Sequence, residues 1–253
     1  MTTDLNSARC PRVTTHRRAR LHLRLIGCAL LSATLLLGAC ASKPAPPDWQ
    51  SNAHAALKDF SAAYLSGNTR LAAPALARAR LEIASTGRAD LLARAELTRC
   101  AVRVASLEFD DCAAYQPLAA EAQPPEQAYA AFLNGRWTAL DAALLPVQHQ
   151  ALVQQAISDQ ATKHPAPGAS PLGVMEDPLA RLVAAGALLQ SRHLSAADIL
   201  VATETASAQG WRRPLLAWLG LQRQRASDAG DPAAAARLQR RIDLVLQAPA
   251  KSP

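Results

Sequence analysis

The chain has 253 residues, half of them hydrophobic but only 4% aromatic, with 27 Lys and Arg against 20 Asp and Glu. Residues 1–39 hold six of those basic groups and one acid, Asp4, which leaves 21 basic against 19 acidic groups beyond them. The formal charge of +7 therefore describes mainly the leader, and net charge gives no support for a nucleic-acid partner.

In chain order, the first element is an export signal. Arg17, Arg18, Arg20 and Arg24 precede an apolar run that begins near Leu25 and ends at Leu37-Gly38-Ala39-Cys40. A basic segment, an apolar segment and a small-residue cleavage site form a secretory signal, and this run is too short for a spanning helix of about 20 apolar residues. With a cysteine directly after the small residues, Leu37, Gly38, Ala39 and Cys40 resemble the lipobox of bacterial lipoproteins. The resemblance implies cleavage before Cys40 and acyl chains, palmitate among them, on the new N-terminal cysteine. Leu25-Ile26-Gly27-Cys28 has the same local form but follows Arg24 with no apolar core ahead of it. The alternatives are a non-lipidated signal cut near Ala39 and a short signal anchor. Arg17-Arg18 lacks the apolar residues that twin-arginine export places just after the pair. A start at an internal codon such as Val13 or Leu21 would shorten the basic leader. Ala41 is not the aspartate that commonly retains lipoproteins in the inner membrane, so the resemblance implies an outer-membrane anchor facing the periplasm where the host has two membranes. Residues 40–47 then comprise the lipidated cysteine and a stiff, extended, proline-rich tether.

From Asp48 onward the sequence is rich in Ala, Leu, Arg and Gln without sustained strand-like alternation, which predicts an all-α fold. Ten helices are predicted at about 48–66, 69–86, 88–106, 111–121, 124–134, 137–160, 177–191, 194–209, 211–228 and 231–247. Asp177-Pro178 and Asp231-Pro232 each read as an N-cap followed by proline at the first helical position. Ser195 with Asp198 resembles a capping box, and Gly210 is placed to end a helix. Leu179, Leu182, Val183, Gly186 and Leu189 are expected on one buried face. The stretch 161–176, with its proline and glycine, is expected to separate an N-terminal hairpin block, 48–160, from a C-terminal one, 177–248. Residues 249–253 read as a disordered tail.

Ala62-Ala63-Tyr64-Leu65-Ser66-Gly67 aligns without gaps on Ala130-Ala131-Phe132-Leu133-Asn134-Gly135, 68 positions on. That offset is twice 34, and stacked helical hairpins resembling tetratricopeptide repeats are implied, although the full consensus is absent from every unit and the middle one lacks the glycine. Of the five cysteines, Cys10 and Cys28 belong to the leader and Cys40 to the anchor, so Cys100 and Cys112 remain. In an oxidising export compartment this even pair favours a disulfide pinning two antiparallel helices across the turn at 106–111. Two separate buried thiols are the alternative.

Catalytic signatures are missing: there is no HExxH, GxSxG, GxGxxG or P-loop. His54, His149, His164 and His193 stand without ligand-spaced partners, so neither a metal nor a cofactor is expected. His54 and His149 read as solvated helix positions, His164 and His193 as loop residues. Glu108, Asp110 and Asp111 read as a solvated acidic turn. Arg212, Arg213, Arg223, Arg225, Arg237, Arg240 and Arg241 form a basic stretch that reads as a solvated face, with an acidic partner or an anionic glycolipid as the alternative. Trp211 and Trp218 are expected in a buried seam, and Trp49, Trp137, Phe60, Phe132 and Tyr64 between hairpins.

These readings combine into a membrane-anchored envelope lipoprotein acting as a non-enzymatic protein-binding scaffold or assembly factor. The alternatives are a cell-wall-active enzyme or its regulator, and a carrier of glycolipid or another small ligand. The expected partners are the membrane, through Cys40, and an envelope protein.

Overall fold

The computed structural model describes residues 46–162 and 170–248, with side chains as far as Ser158 in the first stretch. The chain divides into two units, Met1–Pro46 and Pro47–Pro253. The first, with Leu37, Gly38, Ala39 and Cys40, lies outside the described residues apart from Pro46.

Among the described residues there are nine α-helices and no strand. They are α1 (Asp48–Leu65), α2 (Thr69–Ala84), α3 (Ala89–Ala105), α4 (Pro124–Leu133), α5 (Val147–Thr162), α6 (Pro178–Gln190), α7 (Ala196–Gln209), α8 (Arg212–Asp228) and α9 (Pro232–Gln247). Short 3₁₀ turns occupy Gln116–Leu118, Ala142–Leu144 and Pro171–Val174. Sequence neighbours pack as hairpins, α1 on α2, α6 on α7 and α8 on α9, and α3 lies against α6 in the middle of the stack. The fold is thus an all-α stack of helical hairpins.

The helix ends follow from local chemistry. Asp177 and Asp231 accept hydrogen bonds from the N–H groups of Ala180 and Ala234, and a proline opens each helix. The Ser195–Asp198 capping box is complete even though Asp replaces the usual Glu. Each such cap stabilises its helix by about 1 kcal/mol. At the C-terminal ends one turn recurs. Gly67 donates its N–H to the Tyr64 carbonyl and Asn68 to that of Ala63; Gly135 and Arg136 do the same toward Phe132 and Ala131. Leu107, Arg192 and Gly230 hold the same left-handed position after α3, α6 and α8. The hairpin turn therefore survives at Leu107 and Arg192 without glycine, where an L-residue costs about 1 kcal/mol.

Two expected helices are different. Residues 111–121 form turns and a 3₁₀ segment, because Asp111 and Cys112 both adopt positive φ. The sixth helix begins at Val147, not at 137. Asp141 turns its carboxylate back onto the Ala143 N–H, and Pro146 holds Leu145 extended (ψ 158°). The helix α6 also departs from the one-faced expectation: every residue from Leu182 to Leu188 is buried, as suits an apolar helix at the centre of a stack.

Nor does the stretch 161–176 divide the body into separate cores. Residues 47–253 form one compact unit, and a single apolar cluster runs from Leu97 and Phe132 through Leu182 to Trp218. The contact of α3 with α6 is close enough that a Cβ on Gly186 would stand 2.7 Å from Val104 Cγ1. Trp218, fully buried, donates its indole N–H to the Ala105 carbonyl at 3.1 Å. Gln190 of α6 donates to the Leu133 carbonyl at the end of α4 at 2.7 Å.

Candidate binding clefts and the network beside them

The helix α3 has an open cleft on either side. The first, about 430 Å³, is walled by Leu97 and Thr98 of α3, Pro125 and Tyr129 of α4, and Leu144, Leu145 and Pro146 before α5. The second, about 570 Å³, lies among Ala77, Leu81 and Ala84 of α2, Leu92 of α3, and Ala114, Pro117 and Leu118. Both linings are mainly apolar.

Each cleft carries one arginine–glutamate pair, and α3 contributes to both. In the first, Arg94 of α3 donates from Nε and Nη2 to Glu126 Oε1, at 2.8 and 2.5 Å. In the second, Glu96 of α3 accepts a two-pronged contact from Arg80, at 2.5 and 2.8 Å. The carboxylates are buried, 9% and 4% exposed, while their arginines are 65% and 42% exposed. Each guanidinium thus sits at a rim with its stem over apolar lining, and it retains N–H groups for a second acceptor. The hydrogen bond that Arg80 donates to Glu96 raises the guanidinium above its ordinary value.

The wall of the first cleft rests on a ladder of rings. Tyr129 stacks on Phe132 with centroids 5.8 Å apart, Phe132 on His149 at 4.7 Å and on Trp137 at 5.7 Å, and Trp137 on His193 at 5.6 Å. Trp137 also donates its indole N–H to the Phe132 carbonyl. His149 is therefore a core residue, not a solvated one, with only 1% of its surface exposed. Burial pushes its imidazole down to about 4 against the opposing attraction of Asp177, so it is neutral at ordinary pH. Burial, seconded by Asp177, raises the Tyr129 phenol, which stays protonated.

The acidic turn is half-buried and paired, not merely solvated. Glu108 accepts from the Tyr64 hydroxyl at 2.6 Å and pairs with Arg213 at 3.0 Å and Arg103 at 3.3 Å. Asp110 pairs with Arg103 and Arg99. Arg213 extends the network to the Tyr64 carbonyl and the Thr69 hydroxyl, and its guanidinium carbon lies 4.2 Å from the centre of the Tyr64 ring. Burial, then the hydrogen bond to Glu108, raises the Tyr64 phenol and keeps it a donor. Arg212 donates to the Val245 and Leu246 carbonyls at the end of α9. These two arginines thus dock α8 internally and do not belong to a solvated face, whereas Asp111 remains exposed.

Cys100 and Cys112 are joined by a disulfide with their Cα atoms 5.2 Å apart. It ties α3 to the irregular segment after the acidic turn, not to a second helix. His54 is exposed on α1, and His164 lies outside the described residues. Among the described residues no group of His, Cys, Asp and Glu is placed to hold a metal ion, and no helix is long and apolar enough to cross a membrane. Trp218, Phe60, Phe132, Trp137 and Tyr64 are buried, with Trp49 and Trp211 half-buried.

The described body is thus a stack of helical hairpins with two apolar, arginine-rimmed clefts flanking one central helix. No family model matches the chain, and neither a curated protein nor a solved structure matches it.

Proposed function

We propose that this protein is an envelope lipoprotein, held at the outer membrane through acylated Cys40, whose helical body binds a partner protein. The observation that carries the binding role is the pair of clefts flanking α3. An apolar lining with a guanidinium at the rim suits a partner segment that buries apolar side chains and presents a carboxylate or carbonyl beside them. Both clefts are open, which fits a chain segment better than the enclosed cavity a lipid or small-ligand carrier needs. The leader and the residues 41–47 supply the setting: export, a lipid anchor and a spacer.

A photo-crosslinking side chain at Leu81 or Leu144, both exposed at the clefts, should give one dominant protein adduct in cells. The same group at exposed Leu200, away from the cleft linings, should not. The Leu144 adduct should disappear when Arg94 is changed to Glu. Recovery of glycan or lipid alone, or an adduct indifferent to Arg94, overturns the reading. For the anchor, acyl labelling should vanish in Cys40→Ala and persist in Cys28→Ala; the reverse result would reassign the site.

A further inference from the structure

The helix α9 carries a face that nothing else in the described chain covers. Its apolar residues Leu238, Ile242 and Val245 rest half-buried on the core. On an adjoining flank Arg237, Arg240, Arg241 and Leu244 follow at i, i+3, i+4 and i+7, a single helical face, and all four are exposed, Leu244 by 68%. Arg237 and Arg240 have no ion pair or hydrogen bond from their side chains among the described residues. Arg241 reaches only Glu204, at 3.8 Å, with both groups largely in solvent. Of the nearby acids, Asp243 accepts a hydrogen bond from Gln239, Asp231 caps the helix, and Asp228 accepts from Gln224. Arg212 and Arg213, by contrast, spend their donors on the fold.

We infer that this face of α9 rests on an anionic phospholipid surface. Three guanidiniums on one face present paired donors to phosphate oxygens. The leucine on that same face matches the acyl boundary just below the headgroups. An acidic protein surface would answer the arginines but leave Leu244 facing charge. If Cys40 is acylated, only seven residues, 41–47, separate the anchor from the body, which raises the local concentration of lipid around it.

The test uses the chain from Cys40 onward with Cys40→Ser, made without its leader, so that no acyl group contributes. Failure of the lipidation reading therefore leaves this measurement unaffected. The protein is floated with vesicles of phosphatidylcholine alone and with vesicles of phosphatidylcholine and phosphatidylglycerol at about three to one, a composition that sets up a negative surface potential. It should float with the second and not the first, and be released by high salt. Replacing Arg237, Arg240 and Arg241 with Gln should lower the partition coefficient on the order of 100-fold, at about fivefold per charge, and Leu244→Ser by about fivefold. All four side chains are exposed, so circular dichroism should be unchanged. Equal flotation with both vesicle types, or no loss in the triple variant, overturns the inference. Binding to polyglutamate without binding to the anionic vesicles overturns it in favour of an acidic protein surface.

Discussion

Two helical glycines meet opposite demands. A Cβ on Gly186 would stand 2.7 Å from Val104 Cγ1 and 2.9 Å from the Val104 carbonyl carbon, so alanine there must push α6 away from α3. Gly186→Ala should cost about 2 kcal/mol, the range of overpacked cores. Gly220 in α8 has nothing within 4 Å of the same position, and Gly220→Ala should add about 0.5–1 kcal/mol through helix propensity. Denaturant midpoints moving in opposite directions would bear this out; a neutral Gly186→Ala would mean the helices are not so tightly apposed. His149 gives a second prediction at this scale. In the unfolded chain its imidazole takes up a proton as pH falls through 6.5, whereas in the fold it does so only near 4. The folded state therefore keeps its full advantage above pH 6.5 and loses it as pH falls toward 4, by about 3 kcal/mol in all. His149→Phe should remove this contribution to the pH dependence. A variant with the same slope as the parent between those limits would sink the assignment.

At the scale of elements, the disulfide and the acidic turn act on one another. Cys100 and Cys112 close a 12-residue separation around Glu108 and Asp110, and that turn carries the carboxylates that hold Arg213 of α8 and Tyr64 of α1. Replacing both cysteines with serine should lower stability by about 3 kcal/mol through loop entropy in the unfolded chain. It should also loosen the turn, so that Arg213→Ala costs less in the cysteine-free protein than in the parent, by at least about 0.5 kcal/mol. Strict additivity in that double-mutant cycle would show that the disulfide does not hold the acids in place. The same region marks how far elements were legible in the sequence. The starts of α6, α7 and α9 were readable because Asp177, Ser195 and Asp231 cap within three residues of themselves. Residues 111–121 were not, since the left-handed backbone at Asp111 and Cys112 breaks the helix and no glycine or proline stands there to announce it. His149 was readable in principle: it shares a helical face with Leu152, Val153 and Ala156, all buried. The arginine–glutamate pairs of the clefts join residues 16 and 32 positions apart. Nothing periodic connects such positions before the helices are packed.

For the whole molecule, the decisive contacts are those that cross the stretch 161–176. Trp218 reaches the Ala105 carbonyl, Arg213 reaches Glu108 and the Tyr64 carbonyl, and Gln190 reaches the Leu133 carbonyl. Gly135 adds a close approach, since a Cβ there would stand 2.6 Å from the Ser191 nitrogen. The Trp218 bond is buried and the others half-buried, so opening one half strands donors or acceptors of the other, at up to about 1–3 kcal/mol for a fully buried group. Neither half can then unfold without exposing the apolar cluster it shares with its neighbour. The body should accordingly melt in one cooperative transition. Trp137 stands before the stretch and Trp218 after it, both buried, so tryptophan fluorescence samples both halves while far-ultraviolet circular dichroism samples all helices. The two curves should coincide, and the calorimetric enthalpy should equal the van't Hoff value. Trp218→Phe, which leaves the Ala105 carbonyl without its indole donor, should lower the midpoint of the single transition without splitting it. Two separated transitions in the parent would restore two independent hairpin blocks and confine the clefts beside α3 to the first of them.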